Sequence, residues 1–506
     1  MNLTEPILRH ARIQPKATAL IERDQAITYG ELSDRVLRTA GHLAKLGIGR
    51  GDQVGLCLKD DSQQIVALLA VARLGAIAVQ IDIRSRPTER SRVVDAFGLQ
   101  LALVTPESEA GINCPKATLD AAWHAAVSAA DQVVNTVQDW RDPFAVLASS
   151  GTTGLPKFTI ATHLEYYFHI AGYLEILPPR RHRYLSSLPL YFSSGRVACL
   201  SHLLRGDTVI LAPILFSPDE FIRNIFDHKI TVARVAPSVL RQLLLITGKH
   251  EPLLPEIDLL VSTGAPLFPD EKREIAHKVS SRFCEMYGAA AIGPIASSRC
   301  EEIWARPASI GRPFSLIDVE IVDDNDQPLD VGAAGQLRCR GPSLTSPIVT
   351  SPNANSVDFR NGWYYPGELG TVDEFGYIFL KGRTSEVIFR NGAKIFPSEV
   401  EVVLQEHDSV AEAAVVGRAL SNNEQEPVAY VVPRRPLTSG ELLAHCRTRL
   451  TPSKVPREIH FVPKLPRNSS GKVDKRALAN DNFRAEMLTS SADLLALQSP
   501  PTDRYE

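Results

Sequence analysis

No pair of cysteines stands at CxxC spacing. The seven, Cys57, Cys114, Cys199, Cys284, Cys300, Cys339 and Cys446, are scattered along 506 residues. That excludes a disulfide framework and a zinc site of the usual spacing, and fits reduced thiols in a cytoplasmic protein. An excess of either charge is also missing: 55 Lys+Arg against 58 Asp+Glu leave −3. A dedicated nucleic-acid binder carries a basic surplus, so no nucleic acid is expected as a partner. No apolar run reads as a membrane span. The nearest, from Ile65 to Ile83, carries Arg73 mid-stretch and is broken at Gly75. It reads as a buried helix over 65–74 entering a buried strand over 76–81, so no membrane insertion is expected. The start, Met1-Asn-Leu-Thr-Glu-Pro, lacks a basic segment followed by an apolar one, and no signal peptide is expected. Internal repeats and low-complexity tracts are lacking too. With 44% apolar and 22% charged residues, fibrous, collagenous and largely disordered chains are excluded.

What is present is alternation. From Ala17 to Val104 short apolar strands alternate with helices: a strand over 19–22, a helix opened by Thr28 with Glu31 three residues on as a capping box, and strands over 52–58 and 101–104. The pattern resumes with strands over 208–212, 231–235 and 259–264 and helices at Pro218–Asp227 and Pro237–Ile246, both with Pro in the first turn. This predicts an α/β domain of several layers with parallel strands. From Asp318 to Cys339 the pattern becomes all-β, with Asp323-Asp-Asn-Asp326 as the turn between strands over 319–322 and 335–340. After Arg383 an α+β unit of about 100 residues follows, with helices over 398–406 and 439–448. Beyond Asn480 the chain reads as a loosely held tail.

One string carries chemistry by itself. Ser149-Ser-Gly-Thr-Thr-Gly-Leu-Pro-Lys157 follows the apolar strand beginning at Phe144. Its hydroxyls, unhindered backbone N–H groups and one mobile cation are what a polyphosphate requires, although GK[ST] of a Walker loop is absent. The string resembles the nucleotide loop of the AMP-forming acyl/aryl-CoA synthetase superfamily. Further segments resemble that family in its order. They are Ser262-Thr-Gly-Ala-Pro-Leu267, Tyr287-Gly288, Ser309-Ile-Gly-Arg-Pro313 and Gly362-Trp-Tyr-Tyr-Pro-Gly-Glu-Leu-Gly370, then Gly382-Arg383, 392–401 and Pro466-Arg-Asn-Ser-Ser-Gly-Lys472.

The resemblance implies a large AMP-binding N-terminal domain (1–383) with a terminal β-rich subdomain, a small mobile C-terminal domain (384–480) and a tail (481–506). It implies ATP with Mg²⁺ and CoA as co-substrate. ATP would meet Ser149, Ser150, Gly151, Thr152, Thr153, Gly154 and Lys157. Gly264, Ala265, Pro266, Tyr287 and Gly288 would hold adenine, and Glu368 and Arg383 the ribose. Lys472 would be the catalytic lysine of adenylation, Ser385 the hinge, and Gly392 the wall of the thiol tunnel. The first half-reaction joins a carboxylate to the α-phosphorus, so it needs positioning and positive charge rather than a general base. The chain departs from the family at Tyr287-Gly-Ala-Ala-Ala291, where Tyr-Gly-x-Thr-Glu is expected. The missing carboxylate normally helps hold Mg²⁺, leaving the metal ligands open, with Glu301 or Glu302 as displaced candidates.

The acyl pocket is assigned to Tyr191, Phe192, Ser193, Ala289, Ala290 and Ala291. No charge stands at 191–194, so an amino-acid ammonium would go unpaired, and an aromatic or compact carboxylic acid is expected. Arg180-Arg-His-Arg183 is either a solvated loop or an attractor of CoA phosphates or an acidic carrier protein. The expected function is ATP-dependent formation of an acyl-adenylate from a small carboxylic acid and transfer to a thiol, foremost CoA. Two alternatives stand beside it: loading of a carrier protein in trans, and a degenerate nucleotide- or acyl-binding relative.

Overall fold

The computed structural model describes residues 2–23, 25–134, 139–148, 158–212, 217–248, 252–348, 358–390, 393–420, 424–467 and 472–480. The expected tail, 481–506, lies outside them. The chain divides into two compact units. One comprises Met1–Val319, Arg338–Pro366 and Gly376–Ile378; the other comprises Glu320–Leu337, Gly367–Phe375 and Phe379–Glu506.

The first unit holds two sheets. Among the described residues one has nine strands. Its centre runs Phe283–Ala289, Leu259–Thr263, Val232–Val235, Arg183–Ser186, Thr208–Leu211 and Thr18–Glu22, all parallel to their neighbours. The other has seven, with a parallel core from Pro143–Ala148 through Ile77–Gln80, Gln53–Cys57 and Leu101–Val104 to Lys116–Thr118. Parallel strands need helical crossovers, and the chain supplies them where local signals demand. Thr28 and Glu31 form the expected reciprocal cap, and Asp61 accepts the N–H groups of Gln63 and Gln64 at the start of Ser62–Arg73. That helix is buried on every residue except Gln63. Its Arg73 is paired with Glu5, which is how a cation survives inside an apolar stretch. No helix among the described residues is long and apolar enough to cross a membrane. Helix His163–Leu174 packs on strands of both sheets, making the layers a multilayer α/β stack.

The second unit is α+β. Val410–Ala419 pairs antiparallel with Gln425–Pro433, which pairs parallel with Glu458–Phe461. Helices Pro397–Gln405 and Ser439–Arg447 cover a core of Val400, Leu404, Val415, Val431 and Leu442. The turn at Asp323 differs from the expectation. Its carboxylate accepts the N–H groups of Asn325 and Gln327, and Leu329 folds straight back to donate to Ile321 O. The turn thus closes on residues 327–329, before the chain returns at Gly335. All seven cysteines are free.

Candidate functional site

Ligands of parallel α/β sheets gather at the carboxyl ends of the strands. At that edge of the larger sheet, Thr263 pairs with Met286, so the next residues, Gly264 and Tyr287, come level on adjacent strands. Gly264 has φ +96°, a conformation that L side chains rarely adopt, and it turns the chain into Ala265 and Pro266. A Cβ on Gly288 would meet Gly293 O at 2.5 Å. Beyond it Ala289 accepts from Ile292 N–H, closing the alanine turn. Ala291 is buried, and its carbonyl accepts both the N–H (2.8 Å) and the hydroxyl (2.9 Å) of Thr345. Thr345 leads into Ser346–Ile348, which pairs with Phe158–Thr162, Ile348 opposite Phe158.

Phe158 follows the expected phosphate loop. Ser149, Ser150, Gly151, Thr152, Thr153, Gly154 and Lys157 themselves lie outside the described residues, as does Gly392. The strands on either side of the loop pair antiparallel, with Ala148 opposite Phe158.

The acyl-pocket segment follows strand Arg183–Ser186. Leu190 N–H donates to Asp60 at 2.5 Å, and Phe192 stands just before helix Ser193–Arg205. Tyr191 and Phe192 are half-buried and meet edge to face at 5.1 Å. Burial, then the charge of Asp82, pushes the Tyr191 phenol up to about 12. The Arg84 guanidinium lies 5.6 Å from the Phe192 ring centroid, so one face of that ring has a cationic neighbour. Two buried arginines also reach this segment. Arg196 donates to Leu190 O at 2.9 Å and to Tyr191 O; Arg234 donates to Ser194 O at 3.0 Å.

In the second unit Arg383 Nε lies 3.8 Å from Glu368 Oε1. Lys472 is half-buried near both. Burial foremost, then the Arg383 cation, lowers its ammonium below the usual lysine range, while Glu368 acts the other way. Three residues on, Lys475 bridges Glu386 (2.9 Å) and Glu401 (2.8 Å). Glu386 closes the short turn Thr384–Glu386, in which Ser385 is exposed and Thr384 N–H donates to Gly367 O. Lys475 thereby ties the stretch after Lys472 to the turn that holds Ser385.

Two sequence models match: "AMP-binding enzyme" over residues 7–348 and "AMP-binding enzyme C-terminal domain" over 399–472. The chain belongs to the AMP-binding enzyme family. A 2-succinylbenzoate–CoA ligase of Bacillus licheniformis is 29% identical over 480 residues, covering 93% of this chain and 98% of that protein. A feruloyl-CoA synthase of an Amycolatopsis species is 29% identical over 486 residues, covering 92% and 96%. The o-succinylbenzoate CoA synthetase of Bacillus subtilis superposes with TM-score 0.84 in its complex with an acyl-adenylate intermediate, at 26% identity, covering 94% of this chain and 98% of that one. With ATP and magnesium ion the TM-score is 0.83, again at 26% identity, covering 94% and 99%.

In this AMP-binding enzyme the expected alternative metal ligands do not fit. Glu302 receives the Arg299 N–H (2.9 Å), Arg312 (3.2 Å) and the Tyr377 hydroxyl (3.0 Å). Ala291 offers no side-chain oxygen, and its carbonyl is taken by Thr345. Among the described residues no three His, Cys, Asp or Glu side chains converge as a metal site. Magnesium is therefore treated below only as part of the MgATP substrate.

The basic cluster loses its sharper reading. Arg180 makes a two-pronged pair with Asp258, which also takes Arg282 at 3.2 Å and lies 3.5 Å from His182. Arg181 donates to Gln14, and Arg183 to His228 O. The cluster is knitted into its own surroundings rather than held out for an anionic partner. Sequence reasoning missed Arg196 and Arg234. The available signal was a cation inside apolar strings, Val232-Ala-Arg-Val235 and Gly195-Arg-Val-Ala198.

Proposed function

We propose that this AMP-binding enzyme is an ATP-dependent acid–CoA ligase acting in the cytoplasm on an aryl carboxylic acid. A carboxylate oxygen forms a bond to the α-phosphorus of MgATP as the bond to pyrophosphate breaks. The CoA thiol then adds to the acyl carbonyl, AMP leaves, and the thiol proton passes to solvent. The acid is already an anion, so the first barrier is repulsion between anions, and positive charge lowers it. Lys472 supplies that charge to the carboxylate and α-phosphate. Glu368 and Arg383 take the ribose hydroxyls; Glu368 stands where the family has Asp, so its carboxylate reaches one methylene further. Tyr287 stacks on adenine against Gly264-Ala265-Pro266. Ser149–Thr153, Gly154 and Lys157 receive the phosphates. The domains are 1–383 and 384–480, with Ser385 as hinge and Gly392 leaving room for pantetheine. Tyr191, Phe192, Ser193 and the Ala289–Ala291 turn line the acyl pocket.

The observation that carries this reading is the grouping of Lys472, Arg383 and Glu368 in one unit, in a chain spanning nearly all of relatives that are CoA ligases. Those relatives act on 2-succinylbenzoate and make feruloyl-CoA, which favours an aryl acid. The test is a panel of carboxylic acids with MgATP, following pyrophosphate and AMP with and without CoA. Acid-dependent pyrophosphate and CoA-dependent AMP release are expected. Pyrophosphate that accumulates only with a carrier protein moves the acceptor from CoA to that protein. No pyrophosphate with any acid leaves a non-catalytic relative.

A further inference from the structure

The floor of the acyl region holds an arrangement that a simple apolar pocket does not require. Arg234 lies mid-strand in the larger sheet, opposite Ser186 on one side and Val261 on the other. It is 3% exposed, and Arg196 is 1% exposed. A guanidinium is always charged in a protein, and a buried one ordinarily has a carboxylate. Neither arginine has one. Arg234 gives a single hydrogen bond, to Ser194 O, and lies 5.1 Å from the Tyr173 ring centroid. The groups that set its field are Tyr173, Tyr184, Cys284 and Tyr166, phenols and a thiol but no acid. Its Nε is buried without a partner, as are Arg196 Nε, the hydroxyls of Tyr173 and Tyr184, and Ser262 Oγ. Native interiors leave few such groups, and here they converge around two cations below the strands' carboxyl ends.

Both arginines are anchored to the same segment, Leu190–Ser194, that supplies Tyr191, Phe192 and Ser193. We infer that the acid carries a second anionic group, remote from the carboxylate that is activated, and that Arg234 receives it with Arg196 as the supporting cation. The substrate class is then a dicarboxylic aryl acid. Arg234 is a specificity residue: it touches the far end of the substrate, not the reacting atoms. This corrects the expectation from residues 191–194 alone, since the charge arrives from a neighbouring strand. The inference rests on the ligase reading above.

The test compares pairs of aryl acids that differ only in a distal carboxylate, such as 2-succinylbenzoate and 2-butyrylbenzoate. Acid-dependent pyrophosphate release is measured for the wild type, Arg234→Leu and Arg234→Lys. A site built for a polar group rejects the analogue lacking it, so the wild type should favour diacids by about 100-fold or more in kcat/KM. Arg234→Leu should collapse that ratio, through loss on the diacid rather than on the monoacid, with KM for ATP unchanged. Arg234→Lys should restore part of it. Should Arg234→Leu not fold, wild-type binding of acyl-sulfamoyl adenosines with and without the distal carboxylate reads the same preference. A wild type that turns over monoacids as well as diacids, or a ratio that survives Arg234→Leu, overturns the proposal. Absence of pyrophosphate with every acid overturns the ligase reading first, and this one with it.

Discussion

Lys472→Ala should separate the two half-reactions, because the ammonium acts only while the carboxylate meets the α-phosphate. The size of the effect follows from its surroundings. A unit charge about 4 Å from another is worth about 1 kcal/mol in bulk water and about 4 kcal/mol at the effective dielectric near a protein surface. Lys472 is half-buried beside Arg383 and Glu368, so the second figure applies. That corresponds to a loss of about 10³-fold in adenylation. Transfer to CoA from preformed acyl-adenylate should change by less than about threefold. The pH profile gives an independent reading. Burial and the Arg383 cation depress the Lys472 pKa, and the charged form is the working one. Wild-type kcat/KM for pyrophosphate release should therefore fall as pH rises through a value below the ordinary lysine range. This limb reports the free enzyme, and it should vanish in Lys472→Ala. The assays are coupled pyrophosphate detection for the first step and chromatographic acyl-CoA formation for the second. Equal losses in both steps, or an unchanged alkaline limb, would refute the assignment.

Lys475→Met should lower adenylation by about tenfold with little change in acid KM, because it frees the stretch after Lys472 from Glu386 and Glu401; equal kcat in the two proteins would show that the clasp is only structural. Burial foremost lowers the pKa of His163 and of His169 to about 4, whereas an unfolded histidine titrates near 6.5. The unfolded state therefore binds more protons between those values, and stability should drop as pH falls through that window, by about 3 kcal/mol per histidine at pH 4. Urea titrations at pH 7 and pH 5 read this, and His163→Gln should flatten the slope; an identical slope would count against the buried neutral form. Arg180→Ala should leave KM for CoA within about twofold at low and moderate salt, since Arg180 is paired with Asp258. A rise in KM that salt abolishes would return the cluster to a docking role.

The parts legible in the sequence are those whose cause is local. The capping box of Thr28 and Glu31 and the proline-started helices Pro218–Asp227 and Pro237–Ile246 depend on residues within a few positions of one another. The strands at 208–211, 232–235 and 259–263 announce themselves by short apolar runs between turn signals. What escaped was set by strand order. Arg234 reads as an oddity in an apolar strand until Arg183–Ser186 is its neighbour and the chain after that strand crosses its end. Arg180 reads as free charge until Asp258 is brought to it from the far side of two strands. Phe192 was read as an aryl wall, and the cation beside it, Arg84, comes from the loop after a strand of the other sheet. Glu368, Arg383 and Lys472 are far apart in the chain, and only the family resemblance set them together beforehand.

The alanine turn has a thermodynamic consequence. Ala291 O is held twice by Thr345, whose following strand pairs with the residues immediately after the nucleotide loop. The wall of the acid pocket and the flank of the phosphate loop are thus successive stations on one hydrogen-bonded backbone path. An acid that shifts the turn on binding alters the free energy of the path that nucleotide binding also loads. Whatever factor the acid applies to ATP affinity, ATP must apply to acid affinity. The order in which the two substrates arrive then becomes a matter of their concentrations, and the better-fitting acid is also the one that draws in the nucleotide.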